Sequence, residues 1–357
     1  MKSLIVGYGS TGKSFERYLK INSIEFDVFD ADSSKLVGKN HIENFNSEIG
    51  ANYNKIYISP GINLKKYLSE KEINSLDFET DLDIFFKNNK SIKIGVTGTN
   101  GKSTLVNYLN QALNEVSTSI ALGNIGNPML DYIDHKEKYS VIEVSSFQLE
   151  KMQNNCFDFS VITNIQPDHI DFHGNFENYK NAKLKICPEN MNTVFCQKDN
   201  YQKIVRDLVL RLEGKNLSNK FSFKNLPFRL EKLSNGIIND SKSTNTSSLL
   251  YAINKMDFKG NLIICGDPAK EGYKNLKIDG PKKVFIYGLH KEQLSKLISH
   301  PNVAVHENLD EIFEIITSEN MAIDILFSPG NPSGNDYSNF VERGEHFNQL
   351  KAIYFDQ

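Results

Sequence analysis

Residues 97–104 read Thr-Gly-Thr-Asn-Gly-Lys-Ser-Thr, with an apolar run at 92–96 before them and a helical pattern over 102–114 behind. A strand that ends in glycines and turns at once into a helix belongs to an α/β layer, whose ligands sit beyond the strand ends. Glycines let backbone N–H groups wrap anionic oxygens, the helix N-terminus adds positive potential, and Lys102 supplies a mobile cation. Ser103 is a hydroxyl suited to a magnesium ion on the same phosphates. The strict GxxxxGK[ST] spacing is not met, because Val96 stands where its first glycine belongs. The bland alternative is an ordinary strand–turn–helix joint. Gly-Lys-Ser-Thr at the one place that holds phosphate favours an ATP site made of Gly98, Thr99, Asn100, Gly101, Lys102, Ser103 and Thr104.

The rest of the chain repeats the same alternation. Strands are expected at 3–6, 26–29 and 55–58, with a helix over 11–21, and a polar run at 87–90 reads as a linker. A second set follows at 92–96, 119–122, 140–144, 160–163 and 193–196, up to a helix-poor break at 214–220. A third set falls at 237–238, 262–265, 283–287, 303–305 and 323–327. Short apolar runs alternating with helices argue parallel sheets with crossover helices. The expected fold class is therefore α/β with three domains: Rossmann-like 1–89, a P-loop centre at 90–222 and Rossmann-like 223–357. A net charge of −3 gives no basic field for nucleic acid, and no apolar run reaches membrane-spanning length. The start of the chain is too short on apolar residues for a signal peptide, and cysteines 156, 187, 196 and 265 lack metal or redox spacing. They read as buried thiols of a cytoplasmic protein.

Three polar clusters follow strands of the central stretch. Glu143, in Glu-Val-Ser-Ser-Phe-Gln-Leu-Glu, ends a strand and would point its carboxylate at the phosphate crevice, where it suits Mg²⁺. His169 sits between Asp168 and Asp171 after the next strand. The helix around Tyr179-Lys180-Asn181-Ala182-Lys183-Leu184-Lys185-Ile186 carries three lysines and by itself reads as a solvated face.

Together these segments resemble the Mur ligase family, most closely its D-glutamate-adding members. TGTNGKST, EVSSFQLE, the Asn164…Asp168-His169…Asp171 run and Tyr179…Ala182-Lys183 carry the likeness, with Gly123-Asn124-Ile125-Gly126 and Asn239-Asp240-Ser241-Lys242-Ser243-Thr244-Asn245. The resemblance implies two Mg²⁺ ions, held by Ser103, Glu143, His169 and a carbamylated Lys183. Lys102, His169, Lys183 and Asn124 would form the reacting centre. Arg229, in Leu-Pro-Phe-Arg, and Asp240 would face the nucleotide. Lys242, Thr244, Lys270, Ser328 and Tyr337 would take the incoming amino acid, although polar crowding before a helix also suits a cap, Thr244 included. Ser10, Thr11, Asp30, Ser59, Gly61, Asn124 and Ser145 would bind the UDP-linked substrate; Asp32 stands where the family often has a base. The implied reaction adds D-glutamate to UDP-N-acetylmuramoyl-L-alanine through an acyl phosphate, in peptidoglycan precursor synthesis, by a monomer.

Two alternatives stand beside it. Gly7-Tyr8-Gly9-Ser10-Thr11-Gly12 is a full GxGxxG after a strand, and Asp30 ends the next strand, which is the fingerprint of an NAD-dependent oxidoreductase. Only residues 184–227 separate Lys183 from Phe228, fewer than the family usually has. The late central domain, where adenine is held, is thus abridged, which raises a non-catalytic nucleotide-binding relative as the second alternative.

Overall fold

The structure, a computed structural model, describes residues 2–356 except 189–191, 197–199, 235, 271–274 and 319–323. It divides into two compact units, Met1–Lys224 and Asn225–Gln357.

The first unit holds two parallel sheets. One has the order β2-β1-β3-β4, with β1 at Ser3–Val6, β2 at Phe26–Phe29, β3 at Ile56–Ile58 and β4 at Phe78–Glu79. Ser-Leu-Ile-Val of β1 is buried along its whole length, as expected of a parallel strand covered on both faces. The other sheet contains β5 (Ile92–Thr97), β6 (Ser119–Gly123), β7 (Tyr139–Glu143), β8 (Phe159–Ile162) and β9 (Thr193–Phe195), in the order β6-β7-β5-β8-β9. Val96 of β5 lies opposite Glu143 on one side and Val161 on the other. Chain connections diverge to either side of this central strand, so the crevice at its carboxyl end is open to a ligand.

Side chains weld the two sheets into one unit. Leu82 and Phe85, on the helix Asp81–Asn88, share a core with Leu122, Ile142 and Val144. Arg17 grips Asp131 with two hydrogen bonds, Nε–Oδ1 at 2.8 Å and Nη2–Oδ2 at 2.6 Å. The 87–90 run is therefore no loose linker. Lys87 and Asn88 finish that helix, and buried Asn89 donates to the Ile133 carbonyl at 2.8 Å.

The second unit is built on a six-stranded sheet. Its strands are β10 (Glu231–Ser234), β11 (Ile237–Asn239), β12 (Asn261–Ile264), β14 (Lys283–Tyr287), β16 (Val303–His306) and β17 (Ile325–Phe327). Their order is β10-β11-β17-β12-β14-β16, and only β10 runs antiparallel to its neighbour. A two-stranded parallel pair, β13 (Leu276–Lys277) with β15 (Ile298–Ser299), stands apart from it.

Every strand expected from the sequence is present within a residue or two at its ends; position 323 lies outside the described residues. Two further expectations fail. Only Cys265 is a buried thiol: Cys156 is exposed, and Cys187 and Cys196 are half-buried at the margins of the central sheet. Thr244 is not a cap. Asn245 takes that place for the helix Thr246–Met256: its backbone is extended, its side chain accepts from Ser248 N, and the two form a capping box.

Candidate active site

The 97–104 loop springs from β5, and its glycines are required by geometry. Gly98 has φ +150°, and a Cβ there would stand 1.8 Å from Thr163 Oγ1. Gly101 caps the helix Lys102–Val116 in the left-handed region and brings no side-chain acceptor. A helix leaves its first-turn N–H groups without an internal partner, and such a start favours anionic oxygens. The loop is pinned from β8's side: Thr99 N donates to Asn164 O at 2.8 Å, and Asn100 N to Asn164 Oδ1 at 3.0 Å.

Two lysines converge on one carbonyl. Lys102 Nζ donates to Gly98 O at 2.8 Å and to Thr99 O at 2.9 Å. Lys183 Nζ donates to the same Gly98 O at 2.8 Å. Far from being solvated, Lys183 is buried, because the spacing of Tyr179 and Lys183 puts both on the inward face of their helix. Tyr179 bonds Thr99 Oγ1 through its hydroxyl at 2.9 Å and lays its ring centroid 4.7 Å from Lys183 Nζ. Burial, reinforced by Lys102 next to it, pushes the Lys183 amine down to about 6.

Glu143 ends β7 and is buried. Its Oε1 accepts from Asn124 Nδ2 at 3.3 Å, while Oε2 has no hydrogen-bond partner among the described residues. An orphaned, buried carboxylate oxygen beside a phosphate-type loop fits a divalent cation. Ser103, also buried, begins the adjoining helix. No three His, Cys, Asp or Glu side chains gather as a ligand set among the described residues. Mg²⁺ does not require one, since it keeps several waters and takes one or two carboxylates beside substrate phosphates. His169 adopts a left-handed backbone and packs on Phe147, with ring centroids 4.8 Å apart; its Nε2 is 3.6 Å from Asp168 Oδ2.

One cavity of about 790 Å³ in this unit joins the phosphate loop to the first sheet. Lys102, Asn124, Ser145, His169 and Lys183 line it, together with Ser10, Thr11, Asp30, Ser59 and Gly61. Gly98, Thr99, Asn100, Gly101, Ser103, Thr104 and Glu143 belong to the loop and strand ends around it rather than to its wall. Lys35, Asp81, Phe147, Gln148 and Tyr179 also line it and were not singled out as binding residues from the sequence. Phe147, Gln148 and Tyr179 had a readable signal, lying in quoted motifs. Lys35 and Asp81 arrive by tertiary folding. Asp30 bridges two turns: Oδ2 accepts Tyr8 N of the glycine turn at 2.6 Å, and Oδ1 accepts Asp32 N of its own turn at 2.9 Å.

In the second unit, Asp240 follows β11 and accepts from Ser328 Oγ at 2.9 Å and Leu230 N at 3.0 Å. Burial pushes this carboxyl up to about 7. Lys242 lies 3.9 Å from the Phe340 ring centroid, and Tyr337 shares its hydroxyl with His346 Nδ1 at 2.8 Å. Arg229 acts electrostatically on Asp240, and Thr244 is half-buried in the same loop. The Lys270 side chain lies outside the described residues.

Parallel sheets, a phosphate-type loop on the central strand and a buried strand-end glutamate beside it define a phosphate-binding α/β class. The chain belongs to the Mur ligase family. Residues 96–263 match the Mur ligase middle domain. A UDP-N-acetylmuramoylalanine--D-glutamate ligase of Francisella tularensis subsp. novicida is 34% identical over 409 residues, covering 98% of this chain and 96% of the relative. That alignment exceeds the 357 residues available here, so the relative carries segments this chain lacks. The MurF ligase of Thermotoga maritima, solved with ADP, shares the fold at TM-score 0.59 and 14% identity, over 99% of this chain and 95% of its own. A pseudomurein peptide ligase type C from Methanothermus fervidus does so at TM-score 0.51 and 15% identity, over 98% and 100%. These matches do not favour the NAD reading of the glycine turn at 7–12. Among the described residues no helix is long and apolar enough to cross a membrane.

Proposed function

We propose that this chain is an ATP-dependent ligase that joins D-glutamate to UDP-N-acetylmuramoyl-L-alanine in peptidoglycan precursor synthesis. The observation that carries it is the cavity in which Lys102, Lys183, His169 and Asn124 share one wall system with the first sheet's Ser10, Thr11 and Ser59. The reading divides labour in three: 1–89 binds the UDP-linked substrate, 90–222 the ATP, and 223–357 the amino acid.

A carboxylate is a poor electrophile until an oxygen becomes a leaving group. In this reading the γ-phosphoryl passes to the muramoyl-peptide carboxylate, and Lys102 offsets the charge that accumulates as the anions approach. Mg²⁺, held by Ser103 and Glu143, would neutralise phosphate charge; Asn124 orients the Glu143 carboxylate by its amide hydrogen bond. Neutral in its buried slot, the Lys183 amine is the species able to take up CO₂, and the resulting carbamate would serve with His169 at a second ion. The D-glutamate amine then attacks the acyl phosphate and phosphate departs. Lys242, Thr244, Lys270, Ser328 and Tyr337 are assigned to the amino acid, Arg229 and Asp240 to the nucleotide. The protein acts as a monomer in the cytoplasm.

Phosphate release measured with ATP and Mg²⁺, omitting in turn the UDP-linked substrate and D-glutamate, tests the reading. Release that needs both supports it. ATP turnover indifferent to both, or none at all, removes it, and the latter would favour a nucleotide-binding role without catalysis.

A further inference from the structure

The helix Ser146–Lys151 joins the two sheets of the first unit. Its start faces the cavity, which Ser145, Ser146 and Phe147 line. Its other side reaches the first sheet's residues: Gln148 Nε2 donates to Asp81 Oδ2 at 3.1 Å, and just beyond its end Gln153 N donates to Asp83 Oδ1 at 3.1 Å. Those two bonds fix the helix. A third has a different target: Lys151 Nζ donates to the carbonyl of Pro60 at 2.7 Å.

Pro60 belongs to the loop after β3 and lines the cavity with Ser59 and Gly61. Ser59 Oγ in turn donates to Gly7 O at 2.7 Å, in the glycine turn after β1. One chain of hydrogen bonds thus runs from the central helix through the 59–61 loop to the glycine turn. Lys151 is buried, with its ammonium 5.0 Å from the Phe172 ring centroid, and no carboxylate lies within 4.0 Å of its Nζ among the described residues. Burial pushes it down to about 8. A buried ammonium without an ion-pair partner is costly, and an apolar side chain would fill the slot more cheaply if packing were its only task.

We propose that Lys151 is a positioning residue that holds the Ser59-Pro60-Gly61 loop in place to receive the nucleotide-linked substrate. This rests on the function proposed above. Because Gln148 and Asp83 secure the helix independently, Lys151 governs the loop and not the phosphate end of the cavity. It acts on capture of the UDP-linked substrate and leaves phosphoryl transfer alone.

The test is steady-state phosphate release by the full chain and by Lys151→Met, with melting temperatures confirming that both are folded. The expected result is a KM for the UDP-linked substrate raised on the order of tenfold, the loss of one charge-assisted hydrogen bond, with kcat and the KM for ATP within about twofold. An unchanged KM, or a fall in kcat at constant KM, overturns the proposal. Should the Met variant not fold, Lys151→Gln is used; its side chain is one bond shorter, so the same split is expected and its absence counts equally against. If the wild-type chain does not turn over, the proposed function falls and calorimetric binding of UDP decides this inference: roughly tenfold weaker binding by the variant supports it, and equal binding overturns it.

Discussion

Lys183 Nζ and Lys102 Nζ both donate to the carbonyl of Gly98, each at 2.8 Å, so two amines meet at the turn of the phosphate loop. Two full positive charges so close would repel, and the more deeply buried partner, Lys183, gives way by losing its proton more readily. The same contact that tightens the loop therefore leaves Lys183 able to react with CO₂. Lys183→Ala is expected to lower phosphate release by on the order of 10²–10³-fold, the scale of removing one preorganised electrostatic group. Adding formate or acetate should restore part of the activity, by supplying the missing anion. Full activity of Lys183→Ala without added acid contradicts the role.

Lys102→Ala should abolish ATP hydrolysis. Its ammonium is the mobile cation of the loop, and the transferring phosphoryl group has no other side-chain cation from that segment. The measurement is phosphate release at saturating substrates; residual turnover near the wild-type rate would contradict it.

Asn124 donates to one oxygen of Glu143, and the other is buried without a hydrogen-bond partner among the described residues. Asn124→Ala is expected to raise the Mg²⁺ concentration for half-maximal activity by roughly 10–100-fold, as for other groups that orient a metal ligand. Glu143→Gln, which removes the charge itself, should raise it further. A Mg²⁺ titration reads both; unchanged half-saturation in the two variants would remove Glu143 from the metal site.

Much of this architecture is legible in the sequence, for a physical reason. Central strands of parallel sheets are covered on both faces, so β1, β5, β7 and β12 are mostly apolar and buried along nearly their whole length. β10 escaped notice because Glu-Lys-Leu-Ser is a partly exposed edge strand with no such run. The Gly98–Lys102 turn declares its purpose by composition. Lys183 does not: a helix with three lysines looks solvated, and only the resemblance to Mur ligases marked the one that folds inward. Lys151 was invisible for a similar reason. Its partner is a backbone carbonyl, which no residue type announces, brought near by tertiary folding.

Arg343 is entirely buried in the second unit, with Nη2 on Ser241 O at 2.8 Å, Nε on Ser241 Oγ at 3.1 Å and Nη1 on Asn331 O at 3.1 Å. It holds the loop after β11 to the loop after β17. Arg343→Met keeps the volume and strands these acceptors, each buried acceptor left unsatisfied costing about 1–3 kcal/mol. Denaturant unfolding should show a loss of roughly 2–5 kcal/mol; a change under about 0.5 kcal/mol, the scale of a surface substitution, would contradict the keystone role.

Asp240 gives a pH signature. Its carboxyl is raised to about 7 by burial, above its unfolded value near 3.8, so the folded chain binds the extra proton. Its contribution to stability is full below the unfolded value and is lost as pH rises through about 7. Wild-type stability minus that of Asp240→Asn should therefore fall between about pH 4 and pH 7 and level off above. A difference that rises with pH over that range would show the carboxyl to be ionised when folded.

In the proposed mechanism the muramoyl-peptide carboxylate is phosphorylated before the amine arrives. ¹⁸O in that carboxyl group tests it most directly, by mass spectrometry of the phosphate released with ATP and D-glutamate. One labelled oxygen per phosphate is the predicted result. Phosphate free of label would mean that ATP is cleaved by water and that no acyl phosphate forms.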